Sequence, residues 1–195
     1  MTPLTPPTAD PSAALARFAA TAPADVLYAF VDSPVGTMIA ASTEHGLACL
    51  GYEDLHGGAD PLLERIAAEI SPRVLLAPAK LDRVRRELDE YFAGTRKDFD
   101  LEIDLTLAKP FARRILAATA RIPFGATSTY GEIAAEAGST GAARAAGGAL
   151  GSNQIPIVVP CHRVLARNGT LHGYTGGLHR KQHLLELEGV LTQGM

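Results

Sequence analysis

The residues best suited to chemistry lie in the run "IPIVVPCHRV", which spans residues 155–164 near the end of the chain. Cys161, one of two cysteines in the protein, stands there directly before His162. A thiol becomes a nucleophile when a nearby base or positive charge stabilises its thiolate. The apolar run predicts a strand, and adjacent side chains of a strand point to opposite faces. The two residues can therefore cooperate only if the chain turns after Pro160 or a water connects them.

Cys161 has to be distinguished from an inert buried cysteine, which is what a free cysteine in an apolar run usually is. Cys49, in "GLACLGY", fits the inert description. Cys161 differs because polar residues flank it: Asn153 before the run, then His162 and Arg163 after it. A metal site is the weaker alternative, since no second Cys/His pair follows at the spacing of a zinc finger. The pattern favours a reactive thiol.

A carboxylate stands further along the chain, in the predicted amphipathic helix "LHRKQHLLELEG" of residues 178–189. Glu188 falls in the last turn of this helix, where a negative charge is unfavourable to the helix dipole. The position is tolerable if the carboxylate accepts a hydrogen bond from an ionisable group, and His162 is a candidate. Taken alone, the pattern favours the alternative that Glu188 is simply exposed.

The elements that must position these residues fall into two units. The first has three predicted strands, two predicted helices and a further strand with alternating apolar and acidic residues. No chemical motif occurs in it, so it is expected to be a scaffold. The predicted strands are 26–31, 36–42, 46–52 and 98–105, and the predicted helices are 61–70 and 79–94.

The second unit begins with a predicted helix over residues 109–122. Two short helices follow, "TYGEIAAEAG" (129–138) and "AARAAGGALGSN" (142–153), joined by a short turn that contains a glycine. That arrangement is typical of a helix-turn-helix. The second of these helices consists almost entirely of small residues around Arg144. Small side chains permit close approach to a flat surface, and the sequence leaves open whether that surface is a DNA groove or another helix.

Composition limits the classes of protein that need consideration. The chain has 195 residues, of which 47% are hydrophobic and 20% charged, as expected for a globular protein. No stretch approaches the roughly 18 to 20 apolar residues of a membrane helix, and residues 1–25 are predicted to be a flexible leader, not a secretory signal. Two cysteines do not form a disulfide framework, which favours a reducing cytoplasm.

Charge is divided unequally between the two halves. Residues 1–104 contain 9 Lys/Arg against 17 Asp/Glu, a net charge of −8. Residues 105–195 contain 9 Lys/Arg against 4 Asp/Glu, a net charge of +5. The split suggests that the second half faces a polyanion.

The second half closely resembles the O6-alkylguanine-DNA alkyltransferases, also called methylated-DNA–protein-cysteine methyltransferases. The resemblance spans Pro123 to Gly189 and rests on five motifs in the family's order and spacing. They are "IPFGATSTYGEIA", "AARAAGGALGSN", "PIVVPCHRV", "GYTGG" and "LLELEG".

The resemblance implies an α/β protein with two domains. A small N-terminal α/β domain with an antiparallel sheet, ribonuclease H-like, would precede a mostly helical, winged-helix-like DNA-binding domain that contains the helix-turn-helix. The expected division is a leader at 1–25, the scaffold domain at 26–104 and the DNA-binding and alkyl-transfer domain at 105–195.

The resemblance also implies an activity. Cys161 would take the alkyl group from O6-alkylguanine, and in some cases O4-alkylthymine, in flipped-out bases of double-stranded DNA. The transfer would be irreversible and stoichiometric, with no cofactor, no metal and no membrane partner. The protein would act in the cytoplasm as a monomer, with cooperative binding along DNA left open.

Roles for single residues follow from the same resemblance. His162 would act through a water as the base, Glu188 would orient it, Tyr130 would donate a proton to the departing guanine, and Asn153 would brace the turn at the cysteine. Arg144 would fill the gap left by the flipped base. The expected lining of the base pocket is Tyr174, Thr175, Val164 and Gly176, and the expected DNA contacts are Arg144, Ala142, Ala143, Gly147, Gly148 and Arg163.

Two other classes of protein remain as alternatives at this point. A DNA-lesion binder that transfers nothing would have another residue in place of Cys161. A cysteine hydrolase would use Cys161 and His162 with turnover, but it would leave the small-residue helix and Arg144 without a purpose. His172 replaces a small or hydroxyl residue that the family usually has before "GY", at the rim of the expected pocket.

Overall fold

The computed structural model describes residues 24–55 and 57–191. Nearly all of the predicted leader, residues 1–25, lies outside the described residues. The first unit contains a four-stranded sheet in the order β3-β2-β1-β4. Its strands are β1 (Val26–Val31), β2 (Met38–Thr43), β3 (Gly46–Tyr52) and β4 (Val74–Leu76).

The first three strands are antiparallel, as expected, and their predicted positions are right to within two residues. Strand β4, which pairs parallel to β1 at the edge of the sheet, was not predicted. A three-residue strand is too short to show the alternation of side chains by which strands are recognised.

Helices cover both faces of this sheet. Helix α1 (Ala59–Glu69) buries Ile66 in a small cluster with Cys49, while α2 (Asp82–Phe92) buries Val84, Leu88 and Tyr91 in the larger core. The spacing of three and four residues puts the buried side chains of α2 on one helical face. That face also carries Tyr91 into the core shared with the second unit.

The predicted strand over residues 98–105 is wrong. The segment makes only an isolated bridge, between Leu47 and Ile103, and has no regular ladder with β3. The carboxylate of Asp104 accepts hydrogen bonds from the side chain of Thr43 and the backbone N–H of Thr106, which turns the chain away from the sheet. The alternation of apolar and acidic residues here reflects a half-buried linker, not a strand.

The second unit is mostly helical, with a two-stranded parallel ladder that joins β5 (Ser128–Thr129) to β6 (Val164–Leu165). Thr129 and Glu132 form a reciprocal capping box at the start of α4, which fixes the direction of that helix. The expected α/β fold class with a helical second domain is confirmed. The helices are α3 (Pro110–Thr119), α4 (Tyr130–Glu136), α5 (Ala143–Gly151) and α6 (Leu178–Leu187).

The two units share a single hydrophobic core. One cluster of buried apolar side chains extends from Ala29 and Leu50 of the sheet unit to Ile133 and Leu184 of the helical unit. The domain boundaries given above stay a prediction. Within the described residues, no helix is long and apolar enough to cross a membrane.

Candidate active site

The run before Cys161 is a turn, so the predicted strand over this run is wrong. Pro156 bridges to Val159, the N–H of Val159 donates to the carbonyl oxygen of Ile155 at 2.8 Å, and Ile157 adopts a φ of 73°. Prolines at 156 and 160 have no N–H to donate to a ladder, which disfavours a central strand. The turn ends in a 3-10 helix over Cys161–Arg163. The chain therefore turns directly after Pro160, which is the condition for cooperation between Cys161 and His162.

Asn153 holds this turn closed. Its Nδ2 donates to the carbonyl oxygen of Val159 at 2.9 Å and to Cys161 Sγ at 3.1 Å. Its Oδ1 accepts from the N–H of Ile155 at 3.0 Å. One buried amide therefore fixes both ends of the turn and the sulfur itself.

His162 and Glu188, 26 residues apart, lie together in the interior. His162 Nε2 is 2.9 Å from Glu188 Oε1, and neither side chain is exposed. Burial of Glu188 acts to raise its pKa, but hydrogen bonds from His162 and Arg163 outweigh it and bring the pKa to about 2. The carboxylate is ionised at neutral pH, and the alternative of an exposed Glu188 is excluded.

The ionised carboxylate determines the tautomer of His162. A carboxylate can only accept hydrogen bonds, so the proton of the neutral imidazole is on Nε2 and the lone pair is on Nδ1. Burial lowers the pKa of His162 despite the nearby Glu188, so the ring is neutral at rest. Nδ1 has no hydrogen-bond partner among the described residues. It is the atom available to accept a proton.

Arg163 is part of this buried arrangement. The predicted contact of Arg163 with DNA does not agree with this position. Its guanidinium donates twice to Glu188, Nε to Oε2 and Nη2 to Oε1, both at 2.8 Å. It also donates to the carbonyl oxygen of Ile122. With 5% of its surface exposed, Arg163 cannot reach a phosphate. Its charge compensates Glu188 instead.

Cys161 is a neutral thiol at rest. Burial raises its pKa to about 11, although the hydrogen bond from Asn153 acts in the opposite direction. The sulfur is therefore not held as a thiolate, and a base has to remove its proton during any reaction. His162 is the neighbouring base.

Two further buried residues belong to the site, and neither was predicted from the sequence. Tyr91 of α2 donates its hydroxyl to Glu188 Oε1 at 2.7 Å. Lys181 of α6 donates its ammonium to the carbonyl oxygens of Val164 and His172, at 2.6 and 2.9 Å, and burial lowers its pKa to about 8. In the sequence, Tyr91 occupies an ordinary core position of its helix and Lys181 an ordinary surface position. No pattern of neighbouring residues therefore indicates that either belongs to the site.

A cavity of about 570 Å³ opens beside Cys161 in the helical unit. Its lining includes Tyr130, Arg144, Tyr174 and Thr175. Burial, followed by the nearby Cys161, raises the pKa of Tyr130, so its hydroxyl remains protonated. His172, which is exposed, contributes to the rim.

A second cavity of about 330 Å³ lies between the two units and also reaches Cys161. Gly176 lines this second cavity, with Tyr174 and Thr175 common to both. The expected contribution of the backbone around Val164 to the base pocket stays a prediction: Val164 is fully buried, and its carbonyl oxygen accepts from Lys181. It lines neither cavity.

Helix α5 presents its small residues beside the first cavity. Arg144 is exposed at the start of the helix, and Gly148 has open space where a side chain would be. On the neighbouring face, a Cβ atom at Gly147 would lie 3.7 Å from the ring of Tyr130. Ala142 caps the helix and Ala143 lines the cavity. In the described part of the chain, no group of three or more His, Cys, Asp or Glu side chains could hold a metal ion.

A helix-turn-helix beside a buried thiol, imidazole and carboxylate defines the class: a DNA-binding protein with a cysteine-centred site. Two family models match the chain, the ribonuclease-like domain of 6-O-methylguanine DNA methyltransferase over residues 26–105 and its DNA-binding domain over residues 110–190. The chain belongs to the 6-O-methylguanine DNA methyltransferase family.

Similar proteins of known name agree with this assignment. A methylated-DNA–protein-cysteine methyltransferase of Mycolicibacterium paratuberculosis is 44% identical over 161 residues, which is 83% of this chain and 91% of that protein. One from Salmonella typhimurium is 50% identical over 105 residues, 54% of this chain and 61% of that protein. The crystal structure of Mycobacterium tuberculosis OGT in complex with DNA has a TM-score of 0.72 at 38% identity and covers 83% of this chain and 92% of that one.

Proposed function

We propose that this protein repairs DNA by moving the alkyl group of O6-alkylguanine in duplex DNA to Sγ of Cys161, once per molecule. The observation that carries the proposal is the position of that sulfur. It lies at the wall of a cavity that is also lined by residues of α5, and the next residue, His162, is a neutral imidazole paired with an ionised carboxylate. O4-alkylthymine is a second substrate class for the same chemistry.

Removal of the thiol proton is the first requirement, because the pKa of Cys161 is about 11. Nδ1 of His162 accepts this proton through a water molecule. The imidazolium formed is stabilised by Glu188, which is ionised and 2.9 Å from Nε2. This is the division of roles in a catalytic triad, with a thiol as the nucleophile.

Transfer is an in-line displacement at the alkyl carbon. The S–C bond forms as the C–O6 bond breaks, and the bonding electrons pass to the guanine. Tyr130, whose hydroxyl is protonated, donates a proton to the leaving base from the cavity wall. A thioether on Cys161 and an unmodified guanine are the products, so no group remains to regenerate the thiol.

The target base has to leave the duplex to reach Cys161. Base flipping costs a few kcal/mol, which an inserted side chain offsets by filling the gap. Arg144 is exposed at the mouth of the cavity and supplies that side chain. Ala142, Ala143, Gly147 and Gly148 allow α5 to approach the minor groove closely, where small side chains are needed.

We further propose that the protein works in the cytoplasm as a monomer. Cys49 and Cys161 are both free thiols, as a reducing compartment maintains them. One reactive sulfur and its cavity lie within a single chain, so a second copy is not required for the transfer.

The proposal is tested by titrating the protein with a duplex that contains O6-methylguanine labelled in its methyl group. We expect the label to move to the protein, stop at one equivalent, and map by mass spectrometry to the peptide that contains Cys161. Cys161→Ala should transfer none, and Cys49→Ala should behave as the wild type. Several turnovers per molecule would indicate a hydrolase, and tight binding without transfer would indicate a lesion binder.

A further inference from the structure

We propose that Tyr91, a residue of the sheet unit, is a positioning residue for alkyl transfer that sets the proton affinity of the His162–Glu188 pair. This inference rests on the proposed function, but the hydrogen bond from which it is argued is observed independently of that function. The unit that contains Tyr91 holds no chemical motif in its sequence, and it would otherwise be only a scaffold.

The contact is short, buried and made across the boundary between the two units. Tyr91 Oη lies 2.7 Å from Glu188 Oε1, and the two residues are separated by 97 positions in the chain. Tyr91 has no exposed surface. Its ring is held among Phe92, Phe99 and Phe124, with centroid distances of 5.3, 5.4 and 6.1 Å. The hydroxyl therefore has a fixed direction.

The direction of this hydrogen bond follows from the charges. Glu188 is ionised and can only accept, so the hydroxyl of Tyr91 is the donor. Burial, followed by the charge of Glu188, raises the pKa of Tyr91 far above its usual value, so the proton stays on the phenol. Tyr91 is a permanent donor to the carboxylate.

Oε1 of Glu188 is the oxygen through which the carboxylate acts on His162. It accepts from three groups: Tyr91 Oη, His162 Nε2 and Arg163 Nη2. The other oxygen, Oε2, accepts from Arg163 Nε and, at 3.2 Å, from the N–H of Gly125. Each donor to Oε1 withdraws negative charge from the oxygen that stabilises the imidazolium.

Loss of the Tyr91 hydroxyl should therefore strengthen the pull of Oε1 on the proton of His162. The ionisable groups that face His162 are Glu188, Arg163 and Lys181, with the thiol of Cys161 beside it and Tyr91 behind Glu188. Arg163 and Lys181 disfavour the imidazolium, and Glu188 favours it. Removing one donor from Glu188 shifts this balance toward the imidazolium.

A change in the proton affinity of His162 affects its action as the base in alkyl transfer. Nδ1 of His162 accepts a proton only when the ring is neutral, so the transfer rate should fall as the pH drops through the pKa of His162. Because the thiol of Cys161 is protonated over this range, the acid limb of the rate profile reports His162. A higher proton affinity moves that limb to higher pH.

The test compares Tyr91→Phe with the wild type, since phenylalanine keeps the ring and removes only the hydroxyl. Two midpoints are measured: the acid limb of the single-turnover rate on a duplex with labelled O6-methylguanine, and the NMR titration of His162 in ¹³C-histidine protein. Both should move to higher pH, by about 0.5 to 1 unit, a fraction of what a hydrogen bond to a charged group contributes.

Tyr52→Phe serves as the matched control for the titration of His162. Its hydroxyl is also in the sheet unit and also contacts the helical unit, at Tyr174 Oη over 2.9 Å, but it does not touch Glu188. The midpoint of His162 should stay in place in this variant.

Three results would decide against the inference or its basis. Unchanged midpoints in a folded Tyr91→Phe protein would leave Tyr91 as a packing residue, even if the rate falls equally at every pH. A shift to lower pH would overturn the assigned direction of the charge effect. Failure of the wild type to take up label would remove the proposed function, while the NMR titration would still report on Tyr91.

Discussion

Cys49 and Cys161 are two cysteines in different regions of the molecule, and burial alone does not distinguish them. Cys49, in the sheet, is 1% exposed and Cys161, in the turn, is 8% exposed. Burial is the main cause that raises both pKa values, to about 12 and about 11. The two residues even line the same cavity between the units.

The difference lies in what is buried with each sulfur. Cys49 packs in a cluster with Val26, Ala41 and Ile66, which offer no group that could take its proton. Cys161 accepts a hydrogen bond from Asn153 and lies next to His162, which is paired with Glu188. Burial keeps a thiol neutral and inert, so reactivity here requires a base that is buried with it.

The largest effect is expected when the base is removed. His162→Ala should lower the single-turnover rate of alkyl transfer by about 10² to 10⁴-fold, the usual contribution of a general base. The measurement is quench-flow with labelled duplex, at a temperature where circular dichroism shows the variant folded. Cys49→Ala is the control and should keep the full rate. A folded His162→Ala protein with the full rate would make Cys161 independent of His162.

The sequence predicted those parts of the site that are local. The Cys161–His162 pair, the helix-turn-helix and the first three strands follow from spacing and periodicity within short segments. The positions of α4, α5 and α6 agree with the predicted helices to within about two residues at most ends. These elements are specified by nearby residues, as the capping box of Thr129 and Glu132 illustrates.

The parts that failed depend on contacts between distant segments. Arg163 was expected on DNA from the family resemblance, but a carboxylate 25 positions away holds it inside. Glu188 looked exposed until the resemblance suggested otherwise. Tyr91 reaches Glu188 across 97 positions, and its place on a helical face matches any core tyrosine.

Two arginines of the helical unit provide a second contrast, because Arg163 is buried with the thiol site and Arg144 is exposed. Arg163→Leu leaves Glu188 as a buried charge without its bidentate partner, and breaking such a pair costs about 3–5 kcal/mol of stability. Arg144→Ala should change the stability by less than about 0.5 kcal/mol, as exposed substitutions do, while slowing transfer from duplex DNA. Urea unfolding measures the first effect and labelled duplex the second. Equal stability losses in both variants would contradict the assigned positions.

The pH dependence of stability tests whether the site around Cys161 buries an ionised carboxylate. Within the described part of the chain, the cluster around Cys49 contains no such group. The pKa of Glu188 is lowered from 4.5 to about 2. The stability that it contributes is therefore present above pH 4.5 and is lost as the pH falls toward 2, in total about 3 kcal/mol.

Glu188→Gln provides the reference for this effect, because a glutamine has no proton to gain. Urea unfolding of both proteins is followed downward from pH 6, over the range in which each remains folded. The wild type should be the more stable at pH 6, and the difference should narrow steadily below pH 4.5. A constant difference would mean that Glu188 is not held ionised by His162 and Arg163.

Replacement of Cys49 is expected to have a small effect, and on stability alone. Cys49→Ala removes one buried sulfur from a cluster of apolar side chains and should lower the unfolding free energy by about 1 kcal/mol, as the loss of a group of similar size does elsewhere. Cys161→Ala also removes a sulfur, but its neighbours Asn153 and His162 are polar, and Cys161 itself lines two cavities that can admit water. Urea unfolding should therefore place both variants within about 1 kcal/mol of the wild type, although only one of them has lost alkyl transfer. If Cys49→Ala also abolished transfer in a folded protein, the two cysteines would share one chemistry, and the distinction drawn from their buried neighbours would be wrong.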